Sequence, residues 1–248
     1  KKALAGVGGI EKFVKRGDRV VIKPNIAWAR TPEQAANTNP EILAAVVKLC
    51  KGAGASRITV VDHTCDPSGV SFDMSGARKA IAGTGARLIS LDKKSMYRDI
   101  DLPKGKALKA DTCAKEVLDA DVFINMPIAK SHGGARVTAS MKNLMGINWD
   151  RQSWHRGDLD QCIADYSTVV RPDLIILDAY RILLTKGPKG PGDTRDTNQV
   201  IACTDPVAID AYAAKLLGKK LEDVPYIESA AALGIGQSDL SKVRIKKV

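Results

Sequence analysis

The sequence predicts an α/β fold: a layered, mostly parallel sheet with helices on both faces and a ligand site at the carboxyl ends of the strands. Three observations carry this expectation. Short β-branched runs recur along the chain, helix-like stretches fall between them, and polar residues follow most of the apolar runs directly. The runs are RVVIKPN (19–25), RITVVD (57–62), ARLISL (86–91), DVFINMP (121–127), DLIILDA (173–179) and QVIACTD (199–205). Each is nearly continuous in apolar residues, as expected of a strand covered on both faces. Helices are predicted at 39–53, 69–82, 159–170, 206–217 and 225–233. The first opens on Asn-Pro-Glu, and Asp205 before Pro206 predicts an N-cap with proline in the first turn.

Two segments break this alternation. Residues 131–156 contain Gly133, Gly134 and Gly146 among Thr, Ser, Lys, Asn and Trp, and are predicted to form a long functional loop with one short helix. Residues 186–196, KGPKGPGDTRD, are predicted to be irregular. With no internal repeat and no long linker, residues 1–248 are expected to form a single domain, two interleaved lobes being the alternative.

The composition narrows the function classes. The chain has 248 residues, 44% hydrophobic and 27% charged, which excludes a disordered tail or a fibrous repeat. No stretch approaches the roughly 18 to 20 apolar residues of a membrane helix, so no membrane span is expected. The opening KKALAGVGGIEKF lacks the apolar core of a signal peptide, and because position 1 is Lys the compartment stays open at this end. Lys and Arg number 38 against 28 Asp and Glu, a net charge of +10. These cations are scattered singly except near 242–247, and aromatic residues make up only 4%. That is too few for base stacking, so a small anionic molecule is the expected partner rather than a nucleic acid.

Polar residues at the ends of the runs supply the candidate site. Lys23 and Asn25 follow VVI, Asp62 and His63 follow TVV, Asn125, Lys130 and His132 follow VFI, Asp178 follows IIL, and Thr204 and Asp205 follow VIAC. In an open parallel sheet such ends share one edge, where ligands bind. The segment 127–156 adds Arg136, Lys142, His155 and Arg156 as cationic donors, with three glycines that permit close backbone approach. The five cysteines include no CxxC pair. Cys50 and Cys162 sit at apolar helical positions, whereas Cys65 lies in the polar run Asp62-His63-Thr64-Cys65-Asp66. Cys65, His63 and Asp62 are accordingly the candidate metal ligands, although no HxH or HExxH spacing accompanies them. GxxxxGK[ST], GxGxxG after a strand and GxSxG are all absent.

Taken together, GGIEKFVKRGDRVVIKPN, TNPEILAAVVKLCKGAGASRITVVD, DADVFINMPIAKSHGGARVTASMKNLMGI, RPDLIILDAYRIL and ACTDPVAIDAYAAKLLG resemble the family known as domain of unknown function 362 over nearly the whole chain. The resemblance implies an association with iron-sulfur ferredoxin modules, although no ferredoxin cysteine cluster is written in this chain. A cysteine where Cys65 stands, with the QCIADY segment, is similar to a branch exported by the twin-arginine route. That likeness implies an exported or periplasmic setting, with the cytoplasm as the alternative. Lys23, Asn25, Asp62, Lys130, His132, Lys142, Asn143, His155 and Asp178 match the positions that would form the site.

Three functional readings follow. The first is a redox- or metal-linked enzyme in which Lys130, Lys142 and Asn143 hold an anion with Lys23, Asn25 and Arg156, His132 or His155 moves a proton, and Asp178 orients a histidine or ligates a cation. The second is an iron-sulfur cluster or metal carrier using Cys65, and the third a non-catalytic phosphate or nucleotide binding protein. The cofactor is left open between an iron-sulfur cluster and a divalent metal, and the partners between a small anion and a ferredoxin-type redox protein.

Overall fold

The structure is a computed structural model that describes residues 1–248. Its strands are β1 (Arg19–Pro24), β2 (Arg57–Asp62), β3 (Arg87–Ser90), β4 (Tyr97–Asp101), β5 (Ala110–Ala114), β6 (Val122–Met126), β7 (Ile128–His132), β8 (Arg136–Thr138), β9 (Leu174–Leu183) and β10 (Thr194–Cys203). Eight of them form one sheet in the order β3-β2-β1-β6-β9-β7-β8, with β10 paired to β9, while β4 and β5 form a separate antiparallel pair. Pairing along β3-β2-β1-β6-β9 is parallel throughout. The chain builds outward from β1 through β2 to β3 on one side and resumes with β6 on the other. The strand order therefore reverses between β1 and β6, the place where open α/β sheets leave a crevice at their carboxyl ends.

Pro127 gives the sheet its second feature. β6 and β7 are consecutive and both lie against β9, joined by this one residue, whose carbonyl accepts the Asp178 amide at 2.8 Å. Below Pro127 the other edge of this bent strand pairs with β1, and above it with β8 in a hairpin. Lys130 is thereby carried past the end of β1, on the side where the chain leaves β1 at Asn25.

Helices cover both faces, as predicted. Strand alternation sends Val20 and Ile22 of β1 to one face, where they meet Leu43, Val46 and Val47 of the helix Pro40–Gly52 and Ala77 and Ile81 of the helix Ala77–Ile81. Val21, with Phe123 and Ile175, faces the other layer, packed with Met141, Ile163, Ala211 and Ile227 from four further helices.

All six predicted strands are present, but their directions correct two expectations. β10 runs antiparallel to β9; of the segment 186–196 predicted to be irregular, 186–193 lie in the connection between them, while 194–196 begin β10 and pair with β9. The carboxyl end of β10 thus lies at the opposite edge, which removes Thr204 and Asp205 from the candidate site. Asp205 caps the helix Pro206–Leu216, as its place before Pro206 predicts, accepting the amides of Val207 and Ala208 at 2.9 Å. Residues 131–156 are no open loop. They form the end of β7, β8, the helix Ser140–Asn143, a 3-10 turn at Leu144–Ile147 and the helix Arg151–Arg156, and 140–148 are buried without interruption.

The predicted helix 69–82 is two helices, Ser68–Met74 and Ala77–Ile81, because Gly76 turns left-handed at φ 76° between them. A Cβ at Gly76 would also fall 3.1 Å from Cγ of Pro40. Gly76→Ala should therefore lower stability by about 1–2 kcal/mol, read as a reduced urea midpoint with unchanged slope. An unchanged midpoint would show that this junction tolerates a side chain.

Candidate functional site

At the reversal between β1 and β6, alternation points Lys23 the same way as Val21, into the larger core, where it is 1% exposed. Its Nζ lies 2.8 Å from Oδ1 of Asp62 at the end of β2, an ion pair with both side chains 1% exposed. It also donates to the Pro24 carbonyl at 2.8 Å and to Oδ1 of Asn143 at 2.9 Å. The second Asp62 oxygen accepts the Ile26 amide at 2.8 Å. Burial pulls the Lys23 amine's pKa down and the Asp62 carboxylate opposes that shift. Removing one member of such a pair would leave the other charge buried without its partner.

Gly146 closes over this pair. A Cβ there would stand 2.3 Å from Oδ1 of Asp62 and 2.6 Å from Nζ of Lys23, so the glycine is required by close approach rather than by its backbone angles.

Asn143 bridges the reversal. Its Oδ1 accepts from Lys23 and from Nδ2 of Asn25 at 2.9 Å, while its Nδ2 donates to Oδ1 of Asn125 on β6 at 2.8 Å. Asn125 in turn donates to the Ser140 carbonyl and hydroxyl at 2.9 and 3.0 Å. The helix Ser140–Asn143 is held from below by Asp210, whose two oxygens accept the amides of Ser140 at 2.6 Å and Met141 at 3.0 Å. Burial pushes the Asp210 carboxyl up to about 7.

Lys130, also 1% exposed, donates to Oδ1 of Asn25 at 3.0 Å and to the Ala36 carbonyl at 2.5 Å. The loop carrying Ala36 is fixed by Thr38, whose amide donates to the Asn25 carbonyl at 2.7 Å and whose hydroxyl donates to Met126 O at 2.7 Å. Burial, aided by the charges of Lys142 and Lys23, brings the Lys130 amine down to about 7. Lys142 differs in having no oxygen acceptor. Its sole hydrogen-bond partner is Sδ of Met145 at 3.1 Å, and burial, with Arg151 and Lys23 acting in the same direction, brings it down to about 8.

The histidines of this segment come together at the rim. Nδ1 of His132 accepts the amides of Gly134 and Ala135 at 3.1 and 3.0 Å, which places the neutral ring's proton on Nε2. Burial and the charges of Lys142 and Lys130 depress its pKa strongly. His155 stacks on it, ring centroids 6.1 Å apart and planes 8° from parallel, and is lowered by burial and by Lys142. Cys65 is exposed, with Nη1 of Arg151 3.4 Å from its sulfur, and it opposes the downward shifts of both Lys130 and Lys142.

Of the predicted site residues, Lys23, Asn25, Asp62, Lys130 and Asn143 form one network, with Lys142, His132, His155 and Cys65 beside it. Asp178 does not orient a histidine. Its oxygens accept the amides of Asn39 at 2.7 Å and Tyr180 at 3.0 Å, so it fastens the end of the 36–39 loop, and burial pushes it up to about 6. Arg156 is 72% exposed and reaches only Asp150, at 3.8 Å.

The metal set Cys65, His63 and Asp62 is not assembled. Both Asp62 oxygens are engaged, and His63 stacks on Trp149 at 5.6 Å with Nδ1 3.2 Å from the Tyr97 hydroxyl. No three His, Cys, Asp or Glu side chains gather as ligands. The cysteines are dispersed too, with Cys50 in one core, Cys113 and Cys162 in the other, and Cys65 at the surface, so the chain's own residues do not fit an iron-sulfur cluster. Asn125, expected as a strand-end residue, takes its place in the network. Arg151 and Asp210 are the functional neighbours that no sequence signal pointed to, because both act from distant helices. A cavity of about 1260 Å³ lies elsewhere, between the first helix, the helix Pro40–Gly52, β10 and the last residues, and none of the three buried lysines lines it.

The family described as "Domain of unknown function (DUF362)" matches residues 20–215. The chain belongs to that family. It is 28% identical to a thylakoid-associated protein of Synechocystis sp. over 251 residues, covering 94% of this chain and 73% of that protein. Its fold is similar to that of the lactate racemase apoprotein from Thermoanaerobacterium thermosaccharolyticum, with a TM-score of 0.58, 12% identity and 87% of this chain covered. A protein from Thermotoga maritima is similar at a TM-score of 0.55, with 7% identity and 88% covered. The match spans 53% and 57% of those two structures, little more than half of each. Membership covers most of the site network, since Lys23 through Asp210 all fall within the matched residues. No helix is long and apolar enough to cross a membrane.

Two outcomes follow from this geometry. Gly146→Ala must displace the Lys23–Asp62 pair, and a loss of about 3 kcal/mol or more in urea unfolding is expected, where an ordinary glycine replacement at a tolerant site changes little. For Lys130, a folded-state value near 7 against about 10.4 when unfolded means that the unfolded chain binds more protons between these limits. Stability relative to Lys130→Met should then rise with pH from about 7 to 10, by on the order of 1 kcal/mol per unit, and level off below about 7, where both states hold the proton. A difference independent of pH would show that Lys130 is fully charged in the folded protein.

Proposed function

We propose that the protein is an enzyme that binds a small anionic molecule, a carboxylate or phosphate, at the mouth formed by Lys142, His155, Arg151 and Cys65, and moves a proton there. The observation that carries this reading is charge imbalance: three buried lysines converge, and the one ion pair any of them makes is that of Lys23 with Asp62. An arriving anion would supply the missing counter-charge in a region of low dielectric, where it interacts strongly.

Proton transfer is supported by the groups around it. Lys130 and Lys142, brought to about 7 and 8, can give or accept a proton near neutral pH. His132 is held neutral by its two amide donors and offers a fixed hydrogen-bond donor at Nε2 rather than a charge. A small carboxylate is one candidate, and the protein of similar fold from Thermoanaerobacterium thermosaccharolyticum is a lactate racemase apoprotein. The dispersed cysteines give the cluster-carrier reading no support from this chain's own side chains. A redox role and an exported location, which the family resemblance implies, belong to the proposal as its wider setting.

Binding can be followed by thermal shift and calorimetry with lactate, pyruvate and inorganic phosphate. Saturation at 100 times Kd would stabilise the fold by about 2.7 kcal/mol. Lys142→Ala combined with His155→Ala should abolish that gain while leaving the unliganded midpoint nearly unchanged. Phosphate alone stabilising the fold would favour the phosphate-binding reading, and equal stabilisation of the double variant would remove the site from consideration.

A further inference from the structure

The three buried lysines are not equivalent. Lys23 has a carboxylate and two oxygen acceptors, and Lys130 has an amide oxygen and a backbone carbonyl. Lys142 has only the Met145 thioether, in the 3-10 turn that follows its helix, a weak acceptor that a neutral amine satisfies and an ammonium does not. It is also the one of the three that retains contact with the exterior, at 7% exposure against 1% for the others. It has no carboxylate partner: Arg151 and Lys23 act on it as cations, and only the Cys65 sulfur opposes them. A desolvated amine beside other cations, more easily deprotonated than a free lysine, is the arrangement by which proteins make a lysine nucleophilic. Its value near 8 agrees with that placement.

From the missing oxygen acceptor, the flanking cations and the residual opening at Lys142, we infer that this residue is a nucleophile that captures a carbonyl-bearing anion, an α-keto acid or an aldehyde acid, as a Schiff base. This inference rests on the anion-binding reading and names its substrate class. The neighbouring cations draw the carboxylate, and the Nζ lone pair adds to the carbonyl carbon. Both amine protons pass to the carbonyl oxygen, which leaves as water, and a C=N bond remains. No oxidant or reductant is consumed, so the step needs no further reactant. The alternatives for a neutral buried amine, a structural filler or a general base, form no covalent bond.

The test uses the intact protein with pyruvate, glyoxylate and 2-oxoglutarate as probes and lactate as the carbonyl-free control. Borohydride is added after mixing, and the protein is analysed by mass spectrometry. The expected result is one reduced adduct per chain with at least one keto or aldehyde acid and none with lactate. The adduct should map to Lys142, where it blocks tryptic cleavage and yields the peptide running from Val137 to Arg151. Lys142→Met should lose the adduct, and mapping on the wild-type protein decides the matter even where that variant does not fold. Binding of lactate and pyruvate alike with no adduct on Lys142 would overturn the Schiff base and leave anion binding standing. Failure of every probe to bind or react would overturn both.

Discussion

The structure depends on a charge buried where a sheet would ordinarily be apolar. Lys23 follows three aliphatic residues on a central strand and points into the larger core, and an ammonium in that position is tolerated only if every proton finds an acceptor. That condition accounts for the surroundings in turn. Asp62 ends the neighbouring strand, Asn143 must come within hydrogen-bond distance, and Gly146 must lack a side chain for the segment carrying Asn143 to settle over the pair. Asp210 then has to hold the start of that segment from another helix. An arrangement of this kind contributes less to net stability than an apolar substitute would, so its value lies in what it positions, namely Lys142, the residue before Asn143.

The division of labour among the polar residues follows from their acceptors. Groups with complete hydrogen bonding, such as Asn25, Asn125 and Asn143, form a rigid frame whose amide orientations are dictated by the network itself. Groups with incomplete partners sit at its margin and carry the chemistry. His132, whose Nδ1 is committed to two amides, lies between these classes: its tautomer is set by the β7–β8 turn, while the opposite ring nitrogen is outside that turn's hydrogen bonding.

Much of this was legible in the sequence. Apolar runs ending in Lys, Asn and Asp located the strands and five members of the network, because strand ends in a parallel sheet share an edge whatever their distance along the chain. What the sequence did not disclose were matters of direction and partnership. The antiparallel course of β10 depends on a Gly/Pro turn rather than on any difference in its apolar content from its neighbours, so its carboxyl end was placed at the wrong edge even though the capping role of Asp205 was legible. Asp178 looked like a site acid because its neighbours resemble those of Asp62, and only the fold shows that backbone amides occupy it. Residues 140–148 read as a loop since their burial comes from packing against distant helices, not from any periodicity of their own.

The separation between Lys23 and its cover has a bearing on how the chain folds. Lys23 and Asn143 are 120 residues apart, and Gly146 comes later still. Until that distant segment arrives, the first strands cannot desolvate the amine without leaving it unpaired, so β1 and β2 have to remain hydrated at their carboxyl ends during early collapse. Docking of residues 140–147 is consequently coupled to a long loop closure and belongs to the late part of folding. The same three residues that order the site thus act as a checkpoint on assembly, because a chain that buries β1 before this segment is in place has stranded a charge.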